Sequence, residues 1–338
     1  MVNGTNLISV IVCTYNQQDT IGRTLDSILS QKCHLPIEII IGEDNSSDNT
    51  LSVCQQYQDR HPDIIRIMAN KPNKGLVRNY FDCLRACRGK YIADCAGDDF
   101  WTDETKLEQQ SVILENDETI GIVHTDWVRF DEKTGKLLPS SNSPLLKGKD
   151  KSPLKEDLER LILMPIERPA IHLCTALYRN DWIRQAMHDY PQFFDPETYQ
   201  CEDIQVAFLL ARMGNVAYID KSTLAYSCGG NTVSNPDSEE RQFLFWASAT
   251  RLSYDLACTF NITDIRLDKF FQVRIHKLLM HAFRSGIPSL RTKALLMQRK
   301  MKVANNYQIL FAKVLLFPVI WPLMRCFRNL FLRLHQKH

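Results

Sequence analysis

Within its first hundred residues the chain repeats one pattern: a short apolar run, a polar turn, then a stretch of helical periodicity. Residues 7–13, 37–41, 64–68 and 91–95 are strand-length runs dominated by Ile, Val and other apolar side chains. Between them, residues 21–31, 50–60 and 77–86 carry the spacing of helices packed on one face. The order βαβαβαβ predicts a parallel sheet wrapped by helices, because a parallel pair needs a crossover connection. Ligands of such sheets bind at the carboxyl ends of the strands. Those ends read "TYNQQDT", "GEDNSSDNT", "NKPNKGLVRN" and "AGDDFW", each polar and rich in turn formers. For any one loop, helix capping by a residue such as Ser47 or Asp48 is an equally good account.

Beyond Trp101 the pattern predicts a helix at 106–115, a strand pair around 120–129 with "DEKTGK" as its turn, and a Ser-, Pro- and Lys-rich surface loop over 138–157. "AIHLCTALY" reads as a strand, followed by helices from Asp181 and over 203–213 and a strand at 216–219. Everything from Glu239 reads as helical. No GxGxxG follows the first strand and no GxxxxGK[ST] occurs, which excludes the dinucleotide and P-loop readings on their own motifs.

Charge is divided along the chain. The net charge of +2 hides fourteen Lys and Arg with no acid after Asp268, against 27 Lys and Arg and all 39 acids before it, a balance of −12. A tail of that kind meets an anionic surface. The segment "ILFAKVLLFPVIWPLMRCFRNLFLRLHQKH" mixes Trp, Phe and Leu with cations, and its longest uncharged run, residues 314–324, is too short to span a bilayer. It fits an interfacial segment on anionic lipid; no nucleic-acid module is present. The eleven cysteines read as buried free thiols, without the paired spacing of a zinc site, and no basic-then-apolar leader opens the chain. A reducing cytosol, with the protein peripheral on the inner face of the plasma membrane, is the expected compartment.

Asp44 after the second strand and Asp98 and Asp99 after the fourth would converge on one crevice. Such a like-charge cluster is costly unless a cation or donors neutralise it. Mg²⁺ or Mn²⁺ with a diphosphate is the simplest remedy, with Asp44 receiving a ribose or base and Arg78 adding charge near phosphate. A turn or helix cap is the competing account of the adjacent aspartates.

Taken in order, "SVIVCTYNQQDTIGRTLDSILSQ", "IEIIIGEDNSSDNT", "NKGLVRN" and "GKYIADCAGDDFWTDETKLEQQ" resemble the inverting glycosyltransferases of family 2, of the bacterial polysaccharide type, closely over residues 7–115 and more loosely to about 235. The resemblance implies a GT-A fold, an α/β architecture with a Rossmann-like, mostly parallel sheet, here with a C-terminal helical extension. It divides the matched part into a nucleotide-sugar half (1–115) and an acceptor half (116–237) of one GT-A domain, and the helical and charge patterns beyond add a helical extension (238–307) and a basic membrane-associating tail (308–338). It implies that Thr14, Tyr15, Asn16 and Asp44 bind the nucleotide. The family's acidic metal element falls on residues 96–99, where Ala96 replaces the usual first acid and leaves the metal and ribose duties to Asp98 and Asp99. "QCEDIQVAFLLAR" matches the acidic pair that opens a helix, making Asp203 the general base, with Glu202 beside it on the acceptor side. Trp101 offers a ring for an acceptor sugar. A histidine usual in the loop after the next strand is absent from "AYSCGGNTVS". The implied activity is a metal-dependent hexosyltransferase using a nucleoside-diphosphate sugar, UDP by preference, on a saccharide or lipid-linked acceptor. A non-catalytic nucleotide-sugar-binding scaffold and a nucleotidyltransferase are the alternatives. Asp203 speaks against the scaffold, and a first loop that is neither basic nor glycine-rich speaks against the nucleotidyltransferase.

Overall fold

The computed structural model describes residues 5–138, 155–165, 169–228, 238–317, 319–324 and 326. Strand β1 (Thr5–Thr14) lies between β2 (Ile37–Glu43) and β4 (Gly89–Asp94), and β3 (Ile65–Ala69) flanks β2, all parallel. Ile8, Val10 and Val12 are fully buried on one face of β1 while Ile11 is buried on the other, so the run is apolar without alternation. Helix α1 (Ile21–Leu29) buries Ile21, Thr24, Leu25 and Ile28, one stripe at helical spacing. Helices α2 (Thr50–Arg60) and α3 (Leu76–Ala86) complete the predicted alternation. Each large aliphatic side chain so covered contributes about 1.5–3 kcal/mol.

Past β4 the sheet becomes mixed. A two-residue strand β5 (Phe100–Trp101) precedes α4 (Lys106–Asn116), the hairpin of β6 (Ile120–Asp131) and β7 (Lys136–Leu138), and α5 (Lys155–Leu163). Then come β8 (Leu177–Arg179), α6 (Asn180–Asp189), α7 (Asp203–Met213) and β9 (Asn215–Cys228). The order is β3-β2-β1-β4-β8-β6-β9-β5, with β7 on β6. Strand β8 runs antiparallel to both β4 and β6, whereas β6 and β9 are parallel.

Three expectations need correction. "AIHLCTALY" is mostly not a strand: residues 173–175 form a 3-10 turn, closed by Thr175 N to His172 O and Ala176 N to Leu173 O, and only β8 pairs. Its continuous apolar character comes from burial of a turn rather than of a ladder. The strand expected at 216–219 extends to Cys228, because β6 supplies a partner along its whole length. The loop expected to reach residue 157 ends earlier, where α5 begins at Lys155. Most of that loop, and "GGNTVS" after Cys228, lie outside the described residues.

The chain divides into two compact units, residues 1–230 and 231–338. The second is helical: α8 (Glu239–Thr259), α9 (Ile265–Ser285), α10 (Pro288–Lys300) and α11 (Tyr307–Leu315). Side-chain caps start three of them, from Ser238 to Arg241 N, Asp264 to Arg266 N and Asn306 to Ile309 N. Gly286, with φ 75°, ends α9 in the left-handed conformation. Helix α9 packs against each of the other three, burying Phe270, Ile275, Leu278 and Leu279.

In the first unit, buried Glu38 ties three strands together. It accepts hydrogen bonds from Ser9 Oγ (2.6 Å), Arg88 N (2.8 Å) and Arg88 Nε (2.9 Å), while Ser9 Oγ accepts from Gly89 N (2.8 Å). Burial alone raises its pKa, but these donors prevail and hold it below the ordinary glutamate value. Glu38→Ala is therefore expected to cost about 2–3 kcal/mol in denaturant unfolding near neutral pH, since a charged acceptor and its donors lose one another. The contribution of a depressed carboxylate is present above its unfolded pKa and lost as pH falls through the folded one, so the difference should narrow below about pH 4.

Candidate active site

The loops after β1, β2 and β4 are stitched into one floor. Asn16 sits at φ 52°; its N–H donates to Ser46 Oγ (2.9 Å) and its Oδ1 accepts from Ser47 N (2.8 Å). Thr14 is buried and donates to Gln17 Oε1 (2.8 Å), and the neighbouring Tyr15 is exposed. Gly97 N donates to Cys13 O (3.0 Å), and Thr20 Oγ1 donates to Gly97 O (2.9 Å). No side chain fits at Gly97, because a Cβ there would overlap Gln17 Oε1 and stand 2.8 Å from Thr14 Oγ1.

Asp44 is buried at this floor, its carboxylate already holding a loop: it accepts from Asn70 Nδ2 (2.9 Å), Lys74 N (2.8 Å) and Gly75 N (2.8 Å). Arg78 forms an ion pair with Glu197 at the surface. Trp101 is inside the core, its Nε1 donating to Cys174 O (3.0 Å) and its ring lying 4.3 Å from the Lys106 ammonium, so it braces the wall rather than presenting an open face.

Asp98 and Asp99 occupy the turn after β4. Asp99 Oδ1 accepts from Ser227 N (2.9 Å) on β9, while Oδ2 is buried with no hydrogen-bond partner. Burial pushes both carboxyls above the ordinary value, and the Asp98 charge raises Asp99 further. Arg23 approaches this turn. Its Nη2 donates to Asp98 O (2.9 Å) and pairs with Glu132 (2.6 Å), and its guanidinium lies over Phe100 and Phe130 at 4.4 and 4.8 Å. Shared with Glu132, Arg23 only partly offsets two carboxylates. The remaining charge, an orphaned carboxylate oxygen and all-oxygen donors fit a hard divalent cation such as Mg²⁺ or Mn²⁺.

Glu202 caps α7 and Asp203 opens it, where the helix N-terminus favours negative charge. Asp203 Oδ1 accepts from the Cys201 thiol (2.8 Å). Burial, then Asp203, then Asp94 push Glu202 up to about 8. The turn at residues 172–175 feels both acidic pairs: the Asp99 charge adds to burial in raising the Cys174 thiol, and the Asp203 charge works against burial at His172. His172 is held down at about 4 by burial and is neutral; its ring meets Trp127 at a tilt and Tyr226 edge to face, with centroids 5.7 and 5.4 Å apart.

With this geometry in view, comparison with known proteins identifies the family. The family model described as "Glycosyl transferase family 2" matches residues 9–186, more than half of the chain. The chain belongs to that family. An uncharacterized protein of Mycobacterium tuberculosis is 38% identical over 108 residues, covering 32% of this chain and 31% of its own. The Escherichia coli UDP-Glc:alpha-D-GlcNAc-diphosphoundecaprenol beta-1,3-glucosyltransferase WfgD is 28% identical over 170 residues, covering 49% and 65%. The chain thus matches less than two thirds of either relative. Staphylococcus aureus TarS, solved with UDP-GlcNAc, superposes with a TM-score of 0.59 over 86% of this chain and 79% of its own at 17% identity, which supports the GT-A fold.

Family 2 motifs located the acidic pairs, but Gln17, Arg23, His172, Cys174 and Ser227 escaped sequence reading. Only Gln17 and Arg23 lie within a recognised motif; the other three reach the site through tertiary contacts. Gly97→Ala should lower stability by about 1–3 kcal/mol in denaturant unfolding, as overpacking displaces Gln17 and Thr14.

Proposed function

We propose that this family 2 protein is an inverting, metal-dependent glycosyltransferase. It moves a sugar from a nucleoside-diphosphate sugar, with UDP as the nucleotide, to a saccharide or lipid-linked saccharide in cell-surface polysaccharide synthesis. The reading is carried by one observation: a second acidic pair, Glu202 and Asp203, at the start of α7, in addition to the Asp98–Asp99 pair after β4. Residues 1–115 serve the donor, with Thr14, Tyr15, Asn16, Asp44 and Arg78 around the nucleotide, and residues 116–237 serve the acceptor.

Asp98 and Asp99 would hold the metal, with Asp98 also turned to the ribose. Bound there, a divalent ion supplies positive charge against the departing diphosphate. Glu202 keeps its proton near neutrality, which leaves the basic role to Asp203. With Oδ1 engaged by the Cys201 thiol, Asp203 Oδ2 receives the acceptor hydroxyl's proton as that oxygen attacks the anomeric carbon from the face opposite the leaving group. Trp101 supports the acceptor wall from within.

The second unit supplies attachment to the cytoplasmic face of the membrane. No helix among the described residues is long and apolar enough to cross one. Instead α11 buries Ile309, Ala312 and Leu315 and exposes Tyr307, Leu310, Phe311 and Val314 along one stripe, with Phe317 continuing it. Tyr307 and Phe311 are 79% and 60% exposed. An apolar stripe in an acid-free, cation-rich segment suits anionic lipid.

Three outcomes test these readings. Asp203→Asn should lower transfer about 10²–10⁴-fold in a screen of nucleotide sugars with Mn²⁺, while calorimetry shows metal-dependent UDP binding nearly intact. Asp98→Ala or Asp99→Ala should abolish that metal-dependent binding; retained binding would remove the metal assignment. Replacing Leu310, Phe311 and Val314 together with Ser, which spares the buried face, should release the protein from phosphatidylglycerol vesicles in a sedimentation assay.

A further inference from the structure

Cys33 and His34, in the connection between α1 and β2, take no part in the site described above. They lie along one face of α4, where Glu108, Ser111 and Glu115 follow one another at spacings of three and four. Glu108 Oε2 accepts from His34 N (2.9 Å) and stands 2.6 Å from His34 Nδ1, and the other ring nitrogen, Nε2, stands 3.0 Å from Glu115 Oε2. Cys33 is a free, half-buried thiol whose Sγ lies 3.8 Å from Ser111 Oγ. The ligand atoms of Cys33, His34 and Glu108 all lie within 4.8 Å of one another, and among the described residues this is the one group of three or more Cys, His, Asp or Glu so placed. Two adjacent residues and a third from a distant helix have no spacing that marks a metal motif in the sequence.

The donor set selects the metal. Thiolate, imidazole and carboxylate are together the ligands of Zn²⁺, whereas Mg²⁺ and Mn²⁺ prefer oxygen throughout. Neighbouring donors in a tetrahedral zinc shell stand about 3.3–3.6 Å apart. The three donors bracket that spacing, the His34–Glu108 pair lying closer and the widest separation, at most 4.8 Å, lying farther, which leaves side-chain rotation to assemble the shell. Glu115 supplies an independent sign, because a histidine bound to a metal through one ring nitrogen characteristically donates from the other to a carboxylate. The His34 and Glu108 side chains are 43% and 38% exposed, so an ion can enter from solvent.

The backbone around the cluster is fastened without help from a metal. Gln31 Nε2 donates to Asp103 O (2.7 Å), Leu107 N donates to Gln31 Oε1 (3.1 Å) and Lys32 N donates to Glu104 O (2.7 Å). Closer to the acidic turn, Thr24 Oγ1 donates to Asp99 O (2.6 Å) and Trp101 N donates to Ser27 Oγ (3.1 Å). Residues 99–104 therefore run beside α1, from the acidic turn at one end to the Cys33–His34 cluster at the other.

We propose that Cys33, His34 and Glu108 form a second metal site, for Zn²⁺, in which Glu115 orients the histidine and a water completes the tetrahedron. Zn²⁺ displaces the protons of the Cys33 thiol and of His34 Nδ1 to solvent, and Glu108 exchanges its contact with that nitrogen for a bond to the metal. The ion closes the far end of the seam between α1 and residues 99–108. Its role is structural, and it is separate in place and in ligand type from the all-oxygen site at Asp98 and Asp99.

The test is Co²⁺ spectroscopy on the full-length protein, kept reduced and stripped of metal with a chelator. Added Co²⁺ should develop a thiolate-to-cobalt charge-transfer band in the near ultraviolet and the intense visible bands of four-coordinate cobalt, and Zn²⁺ should bleach both. Cys33→Ser should remove the charge-transfer band. Glu108→Gln and Glu115→Ala should each weaken Co²⁺ binding by about 10–100-fold. Asp98→Ala should leave the spectrum unchanged; a spectrum lost with it would overturn the separate site. Zn²⁺ should raise the melting temperature of the parent by several degrees more than that of Cys33→Ser, and equal shifts would count against the site. No readout involves sugar transfer, so the outcome is independent of the transferase reading. Absence of a charge-transfer band, or a band that survives Cys33→Ser, overturns the proposal and leaves His34 as a latch between two glutamates.

Discussion

The organising constraint is the cost of placing carboxylates where little water reaches. Asp94, Asp98, Asp99 and Glu202 each have their ionised form disfavoured by burial, which Arg23 beside Asp98 and Asp99 and Lys106 near Asp94 offset only in part. Asp44 and Glu38 show the contrasting arrangement, in which backbone amides and side-chain donors fill the carboxylate's shell. The difference between the two groups is one of partners.

That division explains why the loops are so heavily cross-linked. Asn16 to Ser46 and Ser47, Thr20 to Gly97, and Asp99 to Ser227 join loops that are distant in sequence. Each bond limits how far like charges can relax apart, which preserves an arrangement that would otherwise spread to reduce repulsion. The 172–175 turn leads directly into β8, which runs antiparallel between β4 and β6. In a fully parallel sheet a crossover helix would stand there instead.

Much of the first half was legible in the chain. The strand and helix order through residue 95, the helix at 106–116 and the helix beginning at Asp203 follow from periodicity, because each buries a continuous apolar stripe or run. Misreadings arose where burial and regular structure part company. The apolar "HLCT" segment is a buried turn, and the polar second half of β9 is a strand only because β6 pairs with it to Cys228. Trp101 illustrates the same limit at the site, where an aromatic next to two acids suggested a sugar platform and the fold used it as a core bracket.

The sequence by itself determined the family, the GT-A architecture, the two acidic pairs and the separation of charge between an acidic body and a basic tail, because all of these reside in residue order and local pattern. Only the tertiary structure decided which acids keep their partners and which do not. It turned Asp44 inward to hold a loop and left Asp99 Oδ2 buried with no hydrogen-bond partner. It also divided α11 into a packed face and an exposed one. The physical reason is that desolvation and hydrogen-bond satisfaction depend on every element converging on an atom, and those elements are scattered along the chain.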